Sequence, residues 1–114
     1  MVTHPECKLP KESLGPLLRA ISHPKRRQML DLLARDDLPV ARIAEQFSIS
    51  RTAVVKHLRI LRAVHLVSAR RRGRERIQSL NAQPLQSVNE WVSRFESLWV
   101  ADPQQVQLQA APDL

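Results

Sequence analysis

No stretch of this 114-residue chain approaches the roughly 18 consecutive apolar residues that a membrane-spanning helix requires. The opening MVTHPECKLPKES has no apolar segment of the kind a secretory signal needs. Cys7 is the single cysteine, which excludes an internal disulfide framework and suits a reducing cytoplasm. A dithiol switch would have to draw its second thiol from another subunit. There is no glycine-rich phosphate loop, no nucleophile motif and no convergent carboxylate pair, so enzyme chemistry is not expected. Internal repeats are also missing. The length suits one small domain, whose limited core would gain from further burial in a dimer.

What is present is positive charge, gathered in one place. The net charge is +7, and Arg51 to Arg76 holds nine basic residues against Glu75. That segment therefore carries +8 and the rest of the chain −1. Concentrated Lys and Arg is what phosphate binding with counterion release requires. Charge alone leaves the partner open, because a solvated basic face, an acidic protein or an anionic membrane surface fits the same count.

Periodicity supplies the architecture. Residues 1–12 are polar with Pro5 and Pro10 and are expected to form a flexible N-terminal arm. Leu14, Leu17, Leu18 and Ile21 recur at helical spacing and predict a first helix over 14–21. Pro24 suits the first turn of a second helix over 24–35, with Met29, Leu30 and Leu33 inward. Lys25, Arg26 and Arg27 in that first turn oppose the helix dipole and read as a solvated end or a phosphate contact. Val40, Ile43, Ala44 and Phe47 predict a short third helix over 39–47.

Ser50 then caps a fourth helix over 51–64, with Val54, Leu58 and Leu61 inward. Two helices joined by so brief a turn make a helix-turn-helix, whose second helix can enter the major groove. Residues 66–72 and 75–80 predict two strands around Gly73-Arg74, with Val67, Ala69 and Ile77 towards the domain. A last helix over 84–100 carries both tryptophans. The expected fold is mainly α with a small β-hairpin, a winged helix-turn-helix in the order α-α-α-α-β-β-α. It spans 13–100 and is followed by a polar, disordered tail over 101–114.

The fourth helix turns Ser50, Arg51, Thr52, Val55, Lys56 and Arg59 outward or towards its start, and these are the candidate DNA contacts. Arg51 suits a bidentate pair with guanine, and Thr52 a base, a phosphate or a thymine methyl. Lys56 can reach a base or a phosphate, and Arg59 and Arg62 read as phosphate contacts or solvated charges. His57 lies at the edge of the inner face and reads as a packed, hydrogen-bonded histidine rather than a DNA contact or proton sensor. The wing adds Arg70, Arg71, Arg72, Arg74 and Arg76, with Arg72 and Arg74 at its tip the strongest candidates. Strand alternation prevents all of them from facing one way. An arginine at the tip can sense minor-groove width.

The segments HPKRRQMLDLL, PVARIAEQFSISRTAVVKHLRILRAVHLV, ARRRGRERIQSL and NAQPLQSVNEWVSRF together resemble the ArsR/SmtB family of bacterial winged-helix repressors, over 14–99. The resemblance implies a homodimer that binds double-stranded DNA at an imperfect inverted repeat and represses transcription. It places the dimer interface on the first and last helices, at Leu14, Leu17, Leu18, Leu85, Val88, Trp91, Val92, Phe95 and Trp99. An intradomain core is the other reading of the last-helix residues. The family's DNA-facing positions fall on Arg51, Thr52, Val55, Lys56 and the wing arginines. Val55 departs from the usual serine, which exchanges a polar contact for one suited to a thymine methyl.

Many members of that family release DNA on binding metal, and here the pattern breaks. The region of the family's third-helix Cys-x-Cys reads Leu38-Pro39-Val40-Ala41-Arg42, without thiolate or imidazole. The stretch 84–100 has no histidine or aspartate, only Glu90 and Glu96. No metal or cofactor is expected, and no effector is named by the sequence. His4 and Cys7 leave open a metal- or redox-responsive repressor, with His23, His57 and His65 the remaining scattered imidazoles. A winged-helix module that binds an acidic protein is the reading from a different class.

Overall fold

The computed structural model describes residues 14–100; the readings placed on 1–12, on 101–114 and on His4 and Cys7 lie outside the described residues. The elements are α1 (Leu14–Ile21), α2 (Pro24–Arg35), β1 (Leu38–Pro39), α3 (Val40–Ala44), α4 (Arg51–Ala63), β2 (Val67–Arg72), β3 (Glu75–Leu80), α5 (Leu85–Ser93) and α6 (Glu96–Val100). The fold is mainly helical with a small antiparallel sheet, as the sequence predicts. α1 and α2 have the expected bounds.

The start of α2 is fixed by groups that periodicity does not reveal. His23 is the N-cap, and its Nδ1 accepts the Lys25 N–H at 3.1 Å. Pro24 follows in the first turn, where a missing amide costs nothing. Arg26 and Arg27 fold back onto α1. Arg26 Nε donates to the Ala20 carbonyl at 2.7 Å, and Arg27 Nη1 to the Ile21 carbonyl at 2.7 Å. These cations satisfy the last carbonyls of α1 and sit at the negative end of its dipole. Arg26 is half-buried in this contact and is not a solvated end, whereas Arg27 stays exposed, as the sequence reading of a solvated helix end has it.

Three differences from the expected order have local causes. First, the wing is part of a three-stranded sheet in the order β1-β3-β2, not a lone hairpin. Leu38 and Pro39 pair with Gln78 and Ile77. Pro39 is tolerated because β1 is an edge strand, where one amide is free to be absent. Second, α3 ends at Ala44. Beyond it the Gln46 N–H bonds Ile43 O at 3.0 Å and the Phe47 N–H bonds Ala44 O at 3.2 Å, a tighter i→i+3 pattern. Third, the last helix is two segments. At the junction the Arg94 and Phe95 amides bond Trp91 O and Val92 O, again three residues back.

The sheet register also corrects the expected facing of β3. Direct cross-strand partners share a face. Val67 opposes Leu80 and Ala69 opposes Gln78, whereas Ile77 opposes Arg70 and Pro39 on the other face. Ile77 and Gln78 are nevertheless both buried, because β3 is the central strand and is covered on both sides. Alternation assigned only Ile77 to the interior.

The core joins the elements through Leu17, Met29, Ile43, Val54, Leu58, Leu61 and Leu66, all fully buried. Three of these come from α4, so the orientation of that helix is set by the core itself. Its C-terminus is closed by backbone bonds from His65 N to Arg62 O and from Leu66 N to Leu61 O, both 3.0 Å. That is a Schellman arrangement with His65 in the left-handed position at φ 67°. His65 O then accepts from Asn81 Nδ2 at 2.9 Å, tying the end of β3 to the end of α4.

Candidate nucleic-acid interface

α4 starts where Ser50 Oγ accepts the Ala53 N–H at 3.1 Å, with Ser50 itself extended. This satisfies one of the orphan amides of the first turn. Val54, Leu58 and Leu61 then bury one face completely. Arg51, Thr52, Lys56 and Arg59 are left exposed and Val55 half-buried. The outward set divides in two. Arg51, Val55, Arg59 and Arg62 line a cleft towards the wing, while Thr52 and Lys56 occupy the neighbouring stripe.

The wing turns at Gly73-Arg74. Gly73 has φ 64° and no other residue of the turn has a positive φ, as in a turn with glycine at its first central position. Arg71 stands directly opposite Arg76, and Arg72 opposite Glu75. Like charges paired across strands repel, so the Arg71–Arg76 pair is relieved by an incoming polyanion. Arg70 is different: its Nη1 donates to Asp37 Oδ2 at 3.2 Å and to Ser79 Oγ at 2.9 Å. It fastens the wing to the loop after α2 and is partly neutralised there.

His57 is packed and hydrogen-bonded. Its Nδ1 lies 3.1 Å from Arg26 Nη1, and its ring is 4.5 Å from that of His23 at 59°. An arginine can only donate, so His57 Nδ1 accepts and the ring proton lies on Nε2. Burial, and then His23, Arg26 and Lys25, hold the His57 imidazole below its ordinary value. The site residues that sequence reasoning missed are Gln78 and the full role of Arg62. Gln78 is a polar residue buried at 1 % exposure, and its Oε1 accepts from Arg62 Nη1 at 3.2 Å. Burial, followed by the charges of Arg76 and Arg59, lowers the pKa of Arg62.

A second surface lies on the last helices. Trp91 (41 %), Phe95 (38 %), Leu98 (60 %) and Trp99 (37 %) are large apolar side chains left in solvent. Trp91 and Phe95 meet edge to face at 5.5 Å. Leu85 and Val88 pack partly on the core, as do Leu14 and, through the α1–α5 contact, its helix. Leu18 and Val92 are half-buried. Leu17 is fully buried within the protomer. Its side chain is committed to the core, which corrects its inclusion among surface residues for a partner. Among the described residues, no three His, Cys, Asp or Glu side chains gather as a metal-binding group.

Residues 23–69 match the family described as bacterial regulatory protein, arsR family. Over 79 residues the chain is 39 % identical to the transcriptional repressor SdpR of Bacillus subtilis, spanning 69 % of this chain and 88 % of SdpR. An ArsR-like transcriptional regulator from Rhodococcus sp. RHA1 superposes with a TM-score of 0.66 at 26 % identity, covering 90 % of this chain and 96 % of that one. A homodimeric winged helix-turn-helix DNA-binding domain from Mycobacterium bovis gives a TM-score of 0.61 at 25 % identity, over 75 % of this chain and 82 % of that one. A capped, core-anchored helix with a basic outer face, a basic wing beside it and these relatives lead to one conclusion: the chain belongs to the ArsR family of bacterial regulatory proteins and is a DNA-binding transcriptional regulator.

Proposed function

We propose that the protein is a homodimeric repressor that places two copies of α4 in successive major grooves of an imperfect inverted repeat. The observation that carries this is the orientation of α4: its buried face is fixed by the core, and Arg51, Thr52 and Lys56 are left on the exposed surface at its N-terminal half. Arg51 reads a guanine edge, Thr52 and Lys56 contact bases or the adjoining phosphates, and Val55 meets a thymine methyl. Arg59 and the wing residues Arg71, Arg72, Arg74 and Arg76 hold the backbone. Ser50 contributes through its cap, which presents the first-turn amides to the DNA.

The dimer is supported by the exposed aromatic stripe of α5 and α6, together with the homodimeric state of the M. bovis domain. Leu14, Leu18, Leu85, Val88 and Val92 of α1 and α5 are half-buried and would extend that interface. A second copy would cover Trp91, Phe95 and Trp99 and set the spacing of the two α4 helices. The test is selection of bound fragments from the genome with purified protein. Enrichment of two half-sites in inverted orientation, about one helical turn centre to centre, is expected. Enrichment of a single half-site, or none over random sequence, would remove the proposal.

A further inference from the structure

One guanidinium joins three helices. Arg26, in the first turn of α2, donates from Nε to Ala20 O at 2.7 Å and from Nη2 to Arg19 O at 3.3 Å, both in the last turn of α1. Its remaining nitrogen, Nη1, donates to His57 Nδ1 at 3.1 Å, and His57 is the central residue of α4. Arg26 and His57 are both half-buried. Each nitrogen of the guanidinium thus serves a different acceptor. A lysine could not do the same, because its donors all radiate from one nitrogen.

The contact supplies what the core leaves open. Val54, Leu58 and Leu61 hold α4 by apolar burial, which has little directional preference. They fix which face turns inward but resist sliding or rocking on that face only weakly. A hydrogen bond is directional, and this one ties the middle of α4 to the end of α1. We propose that Arg26 is the positioning residue that sets α4 against α1 and, through the dimer, sets the half-site spacing that the protein accepts. Successive base pairs lie about 3.4 Å apart, so a drift of α4 on that scale blurs the spacing by a whole base pair. This role rests on the dimeric, inverted-repeat reading of the protein. It concerns the distance between half-sites and not the bases within one, because Arg51, Thr52 and Lys56 lie on the outward face that the core alone selects.

His57 takes part as an acceptor. His57→Asn keeps an acceptor oxygen at about the position of Nδ1, and His57→Leu removes it. Arg27 supplies the control: it too caps α1, through Ile21 O at 2.7 Å, but among the described residues its side-chain hydrogen bond goes to α1 alone.

The experiment uses the whole chain and pairs of selected half-sites, placed at the preferred spacing and at one base pair more and one less. Wild type is compared with Arg26→Lys, His57→Leu, His57→Asn and Arg27→Lys. Dimer state, melting temperature and binding to an operator with one substituted half-site base are recorded for each. Arg26→Lys and His57→Leu should lose about fivefold or more of the preference for the selected spacing, with discrimination against the substituted base as in wild type. His57→Asn and Arg27→Lys should keep the wild-type spacing profile. The role is overturned if Arg26→Lys and His57→Leu lower the melting temperature and leave the spacing profile unchanged, since the contact is then only structural. It is also overturned if Arg27→Lys flattens the profile as much as Arg26→Lys does, since the capping of α1 is then the cause. Wild-type protein that binds a single half-site as tightly as a pair would instead remove the dimeric reading, and the spacing role with it.

Discussion

On α4 the side chains that point away from the core include Arg51, Thr52, Lys56 and Arg59; on α5 and α6 they include Trp91, Phe95, Leu98 and Trp99. Both surfaces leave something unsatisfied. The first carries cations with few counter-charges, and the wing adds Arg71 facing Arg76. The second carries apolar area that water solvates poorly. The difference predicts how each will respond to conditions. Binding through the first should weaken steeply with salt. Association through the second should depend on protein concentration and little on salt. One core joins them, since α4 contributes Val54, Leu58 and Leu61 to it and α5 packs Leu85 and Val88 against it.

The apolar surface should show the largest effect. Replacing Trp91 and Phe95 together by Ala should cost about 2 kcal/mol or more in dimer stability, seen as a dimer dissociation constant raised at least roughly 30-fold. Sedimentation at low concentration checks it, and a full dimer there would show that these residues are not the interface. Next comes the charged side. Arg51→Ala should remove about 1–3 kcal/mol of discrimination between operator and random sequence. Equal losses on both DNAs would show that Arg51 does not read bases. Arg72→Ala should weaken all DNA alike and lower the log–log salt slope by about one. An unchanged slope would place Arg72 away from the phosphates.

Two smaller effects should leave both surfaces unchanged and act on the frame between them. His65 holds a left-handed conformation that glycine adopts without the steric penalty. His65→Gly should therefore raise stability by about 1 kcal/mol, measured by denaturant unfolding. A loss would mean that the imidazole makes contacts worth more than the backbone strain. His57 gives a pH dependence whose sign follows from its lowered folded-state pKa. The unfolded chain takes up a proton near the ordinary value of 6.5 while the folded protein resists it. Stability should fall as pH drops below that value, and the fall should shrink in His57→Gln. An unaltered pH profile in that variant would exclude His57 as the cause.

The bounds of α1 and α2 and the fully buried face of α4 were legible because apolar residues recur at helical spacing there. The cap at Ser50 and the turn at Gly73 were legible because each residue type has one well-defined local use. β1 was not, since two residues that include a proline carry no periodicity and pair only through a distant strand. Gln78 was hidden for a related reason: its burial follows from the central place of β3, which β1 creates. The return of Arg26 and Arg27 onto α1 was also concealed, because a basic first turn reads the same whether its partner is water, phosphate or a neighbouring helix end. For the DNA interface, sequence identified the residue types and the helical phase. The division between a wing-facing stripe and an outer stripe, with Arg62 seated on Gln78, required the three-dimensional packing.

The outer face of α4 is proposed to read bases in two adjacent major grooves. Methylation protection at guanine N7 tests it most directly, because that atom lies in the major groove and is the one a bidentate arginine covers. On a selected operator, wild-type protein should protect guanines in two segments about one helical turn apart, and Arg51→Ala should lose that protection at concentrations where it still occupies the DNA. Guanines that stay fully reactive beneath bound wild-type protein, or protection that Arg51→Ala leaves intact, would show that Arg51 on α4 does not read the major groove.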